Sequence, residues 1–502
     1  MKIKMAALSH MLYTIILLYL CAMPIESRHR ERDRKKHREP SSLASQQHHI
    51  IESKVMPINL CSKQRDMKLM CHCTPDNNDN GKVHKAECWI FRSDLSIRDP
   101  DWTAFHTQTQ LQSLVFSVHG SGNLSFIPTS VIQPLKHLEK LTIEYAQIHE
   151  IFGFAFGNFT RIHNISLPNN QIRIISAYAF ANHMELQELS ICRNEIYEID
   201  PFAFINLPNL SRLNMERNRI EMLHEDTFEN LDKLSELVLS HNIIDVITRE
   251  TFKGLGNLCI LKLDNNKLRY LGDNMFSELW SLIELDLGHN VIEIITGRAF
   301  DGLNNLKRLK LDYNRLRSLE PGTFAPTPAL TYLNLMRNSL ESVTMITIQP
   351  LMNNLVNHTS MMLIKDNDFI CDCRLAWIYD LRNRTKNFEL RYSLEEIDCR
   401  KPRDEKPSLD VGYENVLKQQ TDYSDDESND DEKVNLLTLQ KRELPCPQEY
   451  REQLEHPSTR EFIGFDLSWI RSSATKICSQ SLWILVLALV SHSYSTLNAF
   501  LR

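Results

Sequence analysis

Asparagine recurs at Asn170, Asn194, Asn218, Asn242, Asn266, Asn290, Asn314 and Asn338, each step being 24 residues. Phenylalanine keeps the same step at Phe156, Phe180, Phe204, Phe228, Phe252, Phe276, Phe300 and Phe324. Around each asparagine stands the frame L-x-x-L-x-L-x-x-N-x-L, as in Leu306-x-x-Leu309-x-Leu311-x-x-Asn314-x-Leu316. A mixed globular fold has no reason to hold two residue types in register for so long, whereas a chain wound once per repeat must do so. Alternating positions of the Leu309 and Leu311 kind give a short strand with one face inward, and successive coils stack such strands into a parallel sheet. The buried asparagine amide can bond the backbone of neighbouring coils where the chain leaves the strand. The phenylalanines, one per coil, are expected to stack as a spine on the opposite, convex side.

This frame is the leucine-rich-repeat consensus, and it predicts an α/β solenoid: a horseshoe with a parallel concave β-sheet. The earlier coils are looser. Leu138-x-x-Leu141-x-Ile143-x-x-Ala146-x-Ile148 has alanine for asparagine, and Leu111 to Ile127 fits roughly, as terminal repeats do. After Asn338 the next match centres on Asn367, a step of 29 instead of 24, which places an insertion near Met345 to Ser360.

A solenoid exposes apolar coil faces at both ends, and these must be covered. Cys61, Cys71, Cys73 and Cys88 precede the repeats, and Cys371, Cys373, Cys399 and Cys446 follow them. Four cysteines can also hold zinc, but neither set has paired C-x-x-C knuckles, and C-x-C favours disulfides. Spacing leaves three connectivities open in each set. Disulfides require an oxidising compartment. That decides how to read residues 1–27, where Lys2 and Lys4 precede an apolar run from Met11 to Met23: a secretory signal, cleaved after Ala22 or Ser27. The basic run Arg28 to Arg38 that follows is unfavourable for translocation but does not outweigh the cysteines.

The whole chain reads as signal (1–27), basic leader (28–60), N-terminal cap (61–91), repeats (102–343), insertion (344–360), last repeat and C-terminal cap (361–446), stalk (447–471) and an anchor signal (472–502). In the last segment the small residues Ser472 and Ser473 precede a spacer and the apolar run Leu482 to Val490, the order of a glycosylphosphatidylinositol signal. The apolar run is too short to span a bilayer. Localisation is therefore expected at the outer face of the cell membrane, the alternative being secretion.

Asn367-Asp-Phe-Ile-Cys-Asp-Cys-Arg-Leu-Ala-Trp377 resembles the C-terminal cap of extracellular leucine-rich-repeat proteins, with aspartate in place of the usual proline. That resemblance implies pairing of Cys61 with Cys73, Cys71 with Cys88, Cys371 with Cys399 and Cys373 with Cys446. The overall layout, Glu87-Cys-Trp-Ile-Phe91 leading out of the first cap, and the anchor signal resemble the connectin type of insect cell-surface protein. This narrower resemblance implies homophilic cell adhesion and target recognition between neurons and muscle. Mixed charge along the repeats permits self-complementary contact without requiring it.

Residues between the strand leucines look out from the concave sheet and are the expected partner-binding positions. They are Arg212, Asn214, Glu236, Val238, Ile260, Lys262, Glu284, Asp286, Arg308, Lys310, Tyr313, Tyr332 and Met336. The bland role of the column Glu188, Arg212, Glu236, Ile260, Glu284, Arg308, Tyr332 is mutual neutralisation along the sheet. Apolar and aromatic groups among mixed charges suit a protein partner. A net charge of -7 gives no reason to expect nucleic acid. The Arg28 to Arg38 run is a candidate for heparan sulfate, weighed against a plain leader.

Six N-x-S/T sequons stand at Asn123, Asn158, Asn164, Asn209, Asn357 and Asn383. A glycan on Asn164, at a strand position, would screen the early coils. Cys192 and Cys259 are read as strand residues facing the concave side, three coils and so roughly 14 Å apart, too far to pair. Asp422 to Glu432 is an acidic run within the C-terminal cap, solvated or a strip for a basic partner, with Tyr423 a sulfation candidate. Asp76 to Glu87 fits the twelve-residue calcium-loop pattern, but the cap has no room for flanking helices, so a polar turn is favoured. G-x-S-x-G, H-E-x-x-H and phosphate-loop motifs are absent, and neither an enzyme activity nor a cofactor is expected.

Overall fold

A computed structural model describes residues 59–62, 67–75, 83–402 and 433–451, apart from residues 158, 358 and 449. The signal, basic leader, acidic run, stalk and anchor signal lie outside the described residues, as does most of the calcium-like loop.

The chain winds into a parallel solenoid. One face is a 13-stranded sheet, opened by the antiparallel pair Leu69–Pro75 and Val83–Ile90 and parallel from there onward. The register advances by one repeat per strand, so that Arg212 lies beside Glu188 and Glu236, and Arg308 beside Glu284 and Tyr332. Middle strands such as Arg308–Lys310 are only three residues long, with Leu309 at the centre and Leu311 just beyond the end both buried in the core.

Two repeated devices fill the interior. The phenylalanine rings stack at 5.2 to 6.5 Å from Phe156 through Phe180 and Phe204 to Phe228, and at 6.2 to 6.4 Å from Phe252 through Phe276 and Phe300 to Phe324. The series changes at the 3-10 turn Arg249–Phe252. The asparagines join neighbouring coils: Asn290 Nδ2 donates to Leu263 and Leu287 carbonyls at 2.9 and 3.1 Å, while its Oδ1 accepts from Leu268 N–H at 3.0 Å. Each amide thus satisfies backbone groups at a corner where no strand partner is available.

Both ends are closed. Cys61 is bonded to Cys73 and Cys71 to Cys88 beneath the first coil, where Trp102, Phe105 and Phe116 pack together. At the far end Cys371 is bonded to Cys399 and Cys373 to Cys446. The helix Trp377–Arg384 covers the last coil, its Trp377 indole donating to the Val343 carbonyl at 2.6 Å. The segment 344–360 consists of short helical turns at Met345–Ile348, Gln349–Leu351 and Met352–Leu355. Ile348, Leu351, Met352 and Leu355 are buried, so the extra residues widen the last coil toward the cap helices.

Two sequence expectations need adjustment, and one departure from the cap pattern finds a role. Val83–Ile90 is a strand paired with Leu69–Pro75, which puts Glu87 opposite His72 in a ladder, so residues 83–87 of the expected polar turn are strand instead. Cys192 lies beyond the strand Glu188–Ser190 and Cys259 just before Ile260–Lys262, so the two free thiols stand at opposite strand ends and not within strands. The aspartate in the proline position of the cap, Asp368, accepts from Lys433 Nζ at 3.4 Å and so ties down the return of the chain.

Candidate functional surface

The concave sheet carries its outward side chains in columns one coil apart. Arg212 meets Glu188 at 2.7 Å, and Lys262 approaches Glu236 at 3.8 Å. Arg308 reaches Glu284 at 3.4 Å, while Lys310 sits between Glu284 at 3.5 Å and Asp286 at 2.7 Å. These pairs are partly open to solvent, where such contacts are worth about 0–1 kcal/mol. Their larger consequence is a fixed pattern of alternating sign that a partner must match.

Asn164, Glu188, Arg212, Asn214, Glu236 and Val238 surround a shallow concavity of about 230 Å³. Asn164 Nδ2 donates to Glu188 at 2.8 Å, so the sequon nitrogen is part of this network. Among the other sequons, Asn357 and Asn383 are exposed, Asn123 and Asn209 are half-buried, and Asn158 lies outside the described residues.

The later coils are richer in aromatic groups. The Arg308 guanidinium lies over Tyr332 at 4.6 Å. Tyr313 is sandwiched between His289, with ring centroids 4.0 Å apart, and Arg337, at 4.8 Å. Arg337 in turn meets Asp366 at 3.2 Å. Tyr313 therefore does not stand in the strand columns: it precedes the ladder asparagine, in left-handed backbone with φ 54°, at the edge where strands end. His289, Arg337 and Asp366 occupy the same place in their coils, each with positive φ. They were readable as a second column in the 24-residue register, one position before each ladder asparagine. Ile260 and Met336 are half-buried on this side, and Ile283 lies exposed just before its strand. Burial holds the Asp312 carboxyl, beside Asp286, above its ordinary range.

Such an arrangement offers planar groups, fixed charges and modest apolar area, the composition of a recognition surface. Among the described residues no group of histidine, cysteine or acidic side chains is disposed to hold a metal ion, and no helix is long and apolar enough to cross a membrane.

A leucine rich repeat family model matches residues 184–244, 232–292 and 281–340, and a BspA type leucine rich repeat region model matches residues 102–211. Connectin of Drosophila melanogaster is 61% identical over 339 residues, covering 68% of this chain and 50% of that protein. The chain thus matches about half the length of this relative. Similar solved structures include a TLR13–ssRNA13 complex, 21% identical over 61% of this chain and 48% of that one at a TM-score of 0.49. Another is an internalin of Listeria monocytogenes, 17% identical over 62% of this chain and 85% of that one at a TM-score of 0.45. The protein belongs to the leucine-rich-repeat family, with disulfide-paired caps at both ends, and is closely related to Drosophila Connectin.

Proposed function

We propose that the protein is a cell-surface recognition and adhesion molecule that grips a protein partner with its concave face, the partner being a second copy on an apposed cell. The observation that carries this reading is the late concave surface. There Tyr332, with Tyr313 and Met336 at the edge where the strands end, stands among paired charges, so that large side chains, the two tyrosines rigid, are held ready for contact at little entropic cost. The kinship with Connectin supports the adhesive assignment, and recognition between neurons and muscle is part of the proposal. In this account the residues from Arg212 and Asn214 through Glu236, Val238, Ile260, Lys262, Glu284, Asp286, Arg308 and Lys310 set register and charge match. A glycan on Asn164 shields the earlier coils. Ser472 and Ser473 open a lipid-anchor signal at the membrane end, and the Arg28 to Arg38 run contacts heparan sulfate.

Mixing expressing with non-expressing cells tests the adhesive reading. Expressing cells are expected to cluster with one another and to exclude the rest. Dispersal of expressing cells would overturn homophilic binding. Release by a phosphatidylinositol-specific phospholipase is expected if the anchor is processed, whereas spontaneous appearance in the medium would indicate a soluble binder.

A further inference from the structure

On the flank of the solenoid, away from the concave sheet, lies a groove of about 630 Å³. Val246, Tyr270 and Val291 form its apolar floor, and Lys267, Arg269 and Arg315 stand around it. One acid, Asp245, also lines it. Val246 and Tyr270 are each more than half exposed. Arg315 has a long contact to Glu293 at 3.8 Å, whereas Lys267, Arg269 and the adjacent Arg317 have no ion-pair partner among the described residues. Within the groove lining three cations stand against one acid, so this cluster carries positive charge that is not internally neutralised.

The same flank leads to an acidic segment of the chain. Backbone hydrogen bonds step along it from Glu293 N–H to Arg269, from Glu341 N–H to Arg317, and from Ile370 N–H to Glu341. Ile370 then bridges Arg400, which pairs with Lys433. Residues 403–432 lie outside the described residues, but both their attachment points, Pro402 and Lys433, belong to this end of the flank. The run immediately before Lys433 holds Asp422, Asp425, Asp426, Glu427, Asp430, Asp431 and Glu432, with Tyr423 its single aromatic residue. At a strand step of roughly 4.8 Å, Arg269 is on the order of 24 Å from Arg400. Counted back from Lys433, the run to Asp422 can extend about 36 Å.

We propose that this groove is the docking site for the chain's own acidic run, Asp422 to Glu432. The carboxylates meet Lys267, Arg269, Arg315 and Arg317, and Tyr423 covers the apolar floor. Tethering at the flank supplies a high effective concentration, so individually weak contacts suffice.

Zero-length carbodiimide coupling of the full chain tests this, because Lys267 is the one ammonium lining the groove. A Lys267 amide to an acid in 422–432 is expected within single chains, at low salt. Its yield should fall about fivefold or more at ~1 M salt, where charge contacts are screened. The same loss is expected in the exposed-site variant Arg269→Ser, Arg315→Ser and Arg317→Ser, with the melting temperature retained. Absence of the Lys267 product, or an unchanged yield in the triple variant, would overturn the proposal. So would a product found only between isotopically light and heavy chains, which would make a second copy the occupant.

Discussion

At the scale of single residues, the repeat is informative where it is broken. His183 stands where later coils place Leu207, Leu231, Leu255, Leu279 and Leu303. It is packed beside Phe156 and Phe159, and its Nδ1 has no hydrogen-bond partner. Burial pushes its imidazole down to about 4 from an ordinary 6.5. As pH falls, the unfolded chain takes up this proton before the folded one does. Its neutral contribution is therefore complete above about pH 6.5 and is lost toward pH 4, up to roughly 3 kcal/mol. Melting temperature followed across that window should fall less steeply in His183→Leu than in the parent, and parallel curves would refute the assignment. The ladder asparagines behave differently, because each serves several backbone groups. Asn290→Ala leaves the Leu268 N–H without its side-chain partner and removes one of two asparagine bonds from the Leu263 and Leu287 carbonyls, which keep Asn266 and Asn314, at a cost of about 2 kcal/mol. Denaturant unfolding would show it, and a loss below ~1 kcal/mol would contradict the role given to the amide.

At the scale of the element, the coil was legible in the sequence because one residue type per position is repeated until chance is excluded. Leu309 and Leu311 announce a strand, Asn314 its exit and Phe324 the convex turn. The strand-edge cluster was less legible. His289, Tyr313, Arg337 and Asp366 differ in type, so their shared place emerges only when the column before each asparagine is read as a column. Segment 344–360 was visible as a change of spacing, yet its helical turns depend on the cap helices they meet, which no local pattern specifies. The caps illustrate a further limit: two sets of four cysteines admit several connectivities, and family resemblance, not spacing, selects one. Closing the 28-residue separation between Cys371 and Cys399 restricts the unfolded chain by about 3.5 kcal/mol in the loop-entropy account. Replacing both by serine should lower stability by that order and expose the last coil first to proteolysis. Equal protection of the Met361–Leu363 strand in parent and variant would show that the cap helices suffice without the bond.

At the scale of the whole molecule, each coil contacts chiefly its neighbours, so the structure is stiffened by repetition and its concave face is a long, regular array. Regularity makes the surface predictable in outline. It does not encode a partner, because the outward positions are the ones the repeat leaves free to vary. The central claim is that the later concave coils make the adhesive contact. A bulky group placed there, without disturbing the core, tests it most directly. Lys310→Asn together with Asp312→Thr creates a glycosylation site on the sheet, and Arg249→Asn creates one on the 3-10 turn of the convex side. With both variants displayed at parental levels and glycosylated, clustering of expressing cells should be lost in the first and kept in the second. Clustering that survives the concave glycan would contradict the account.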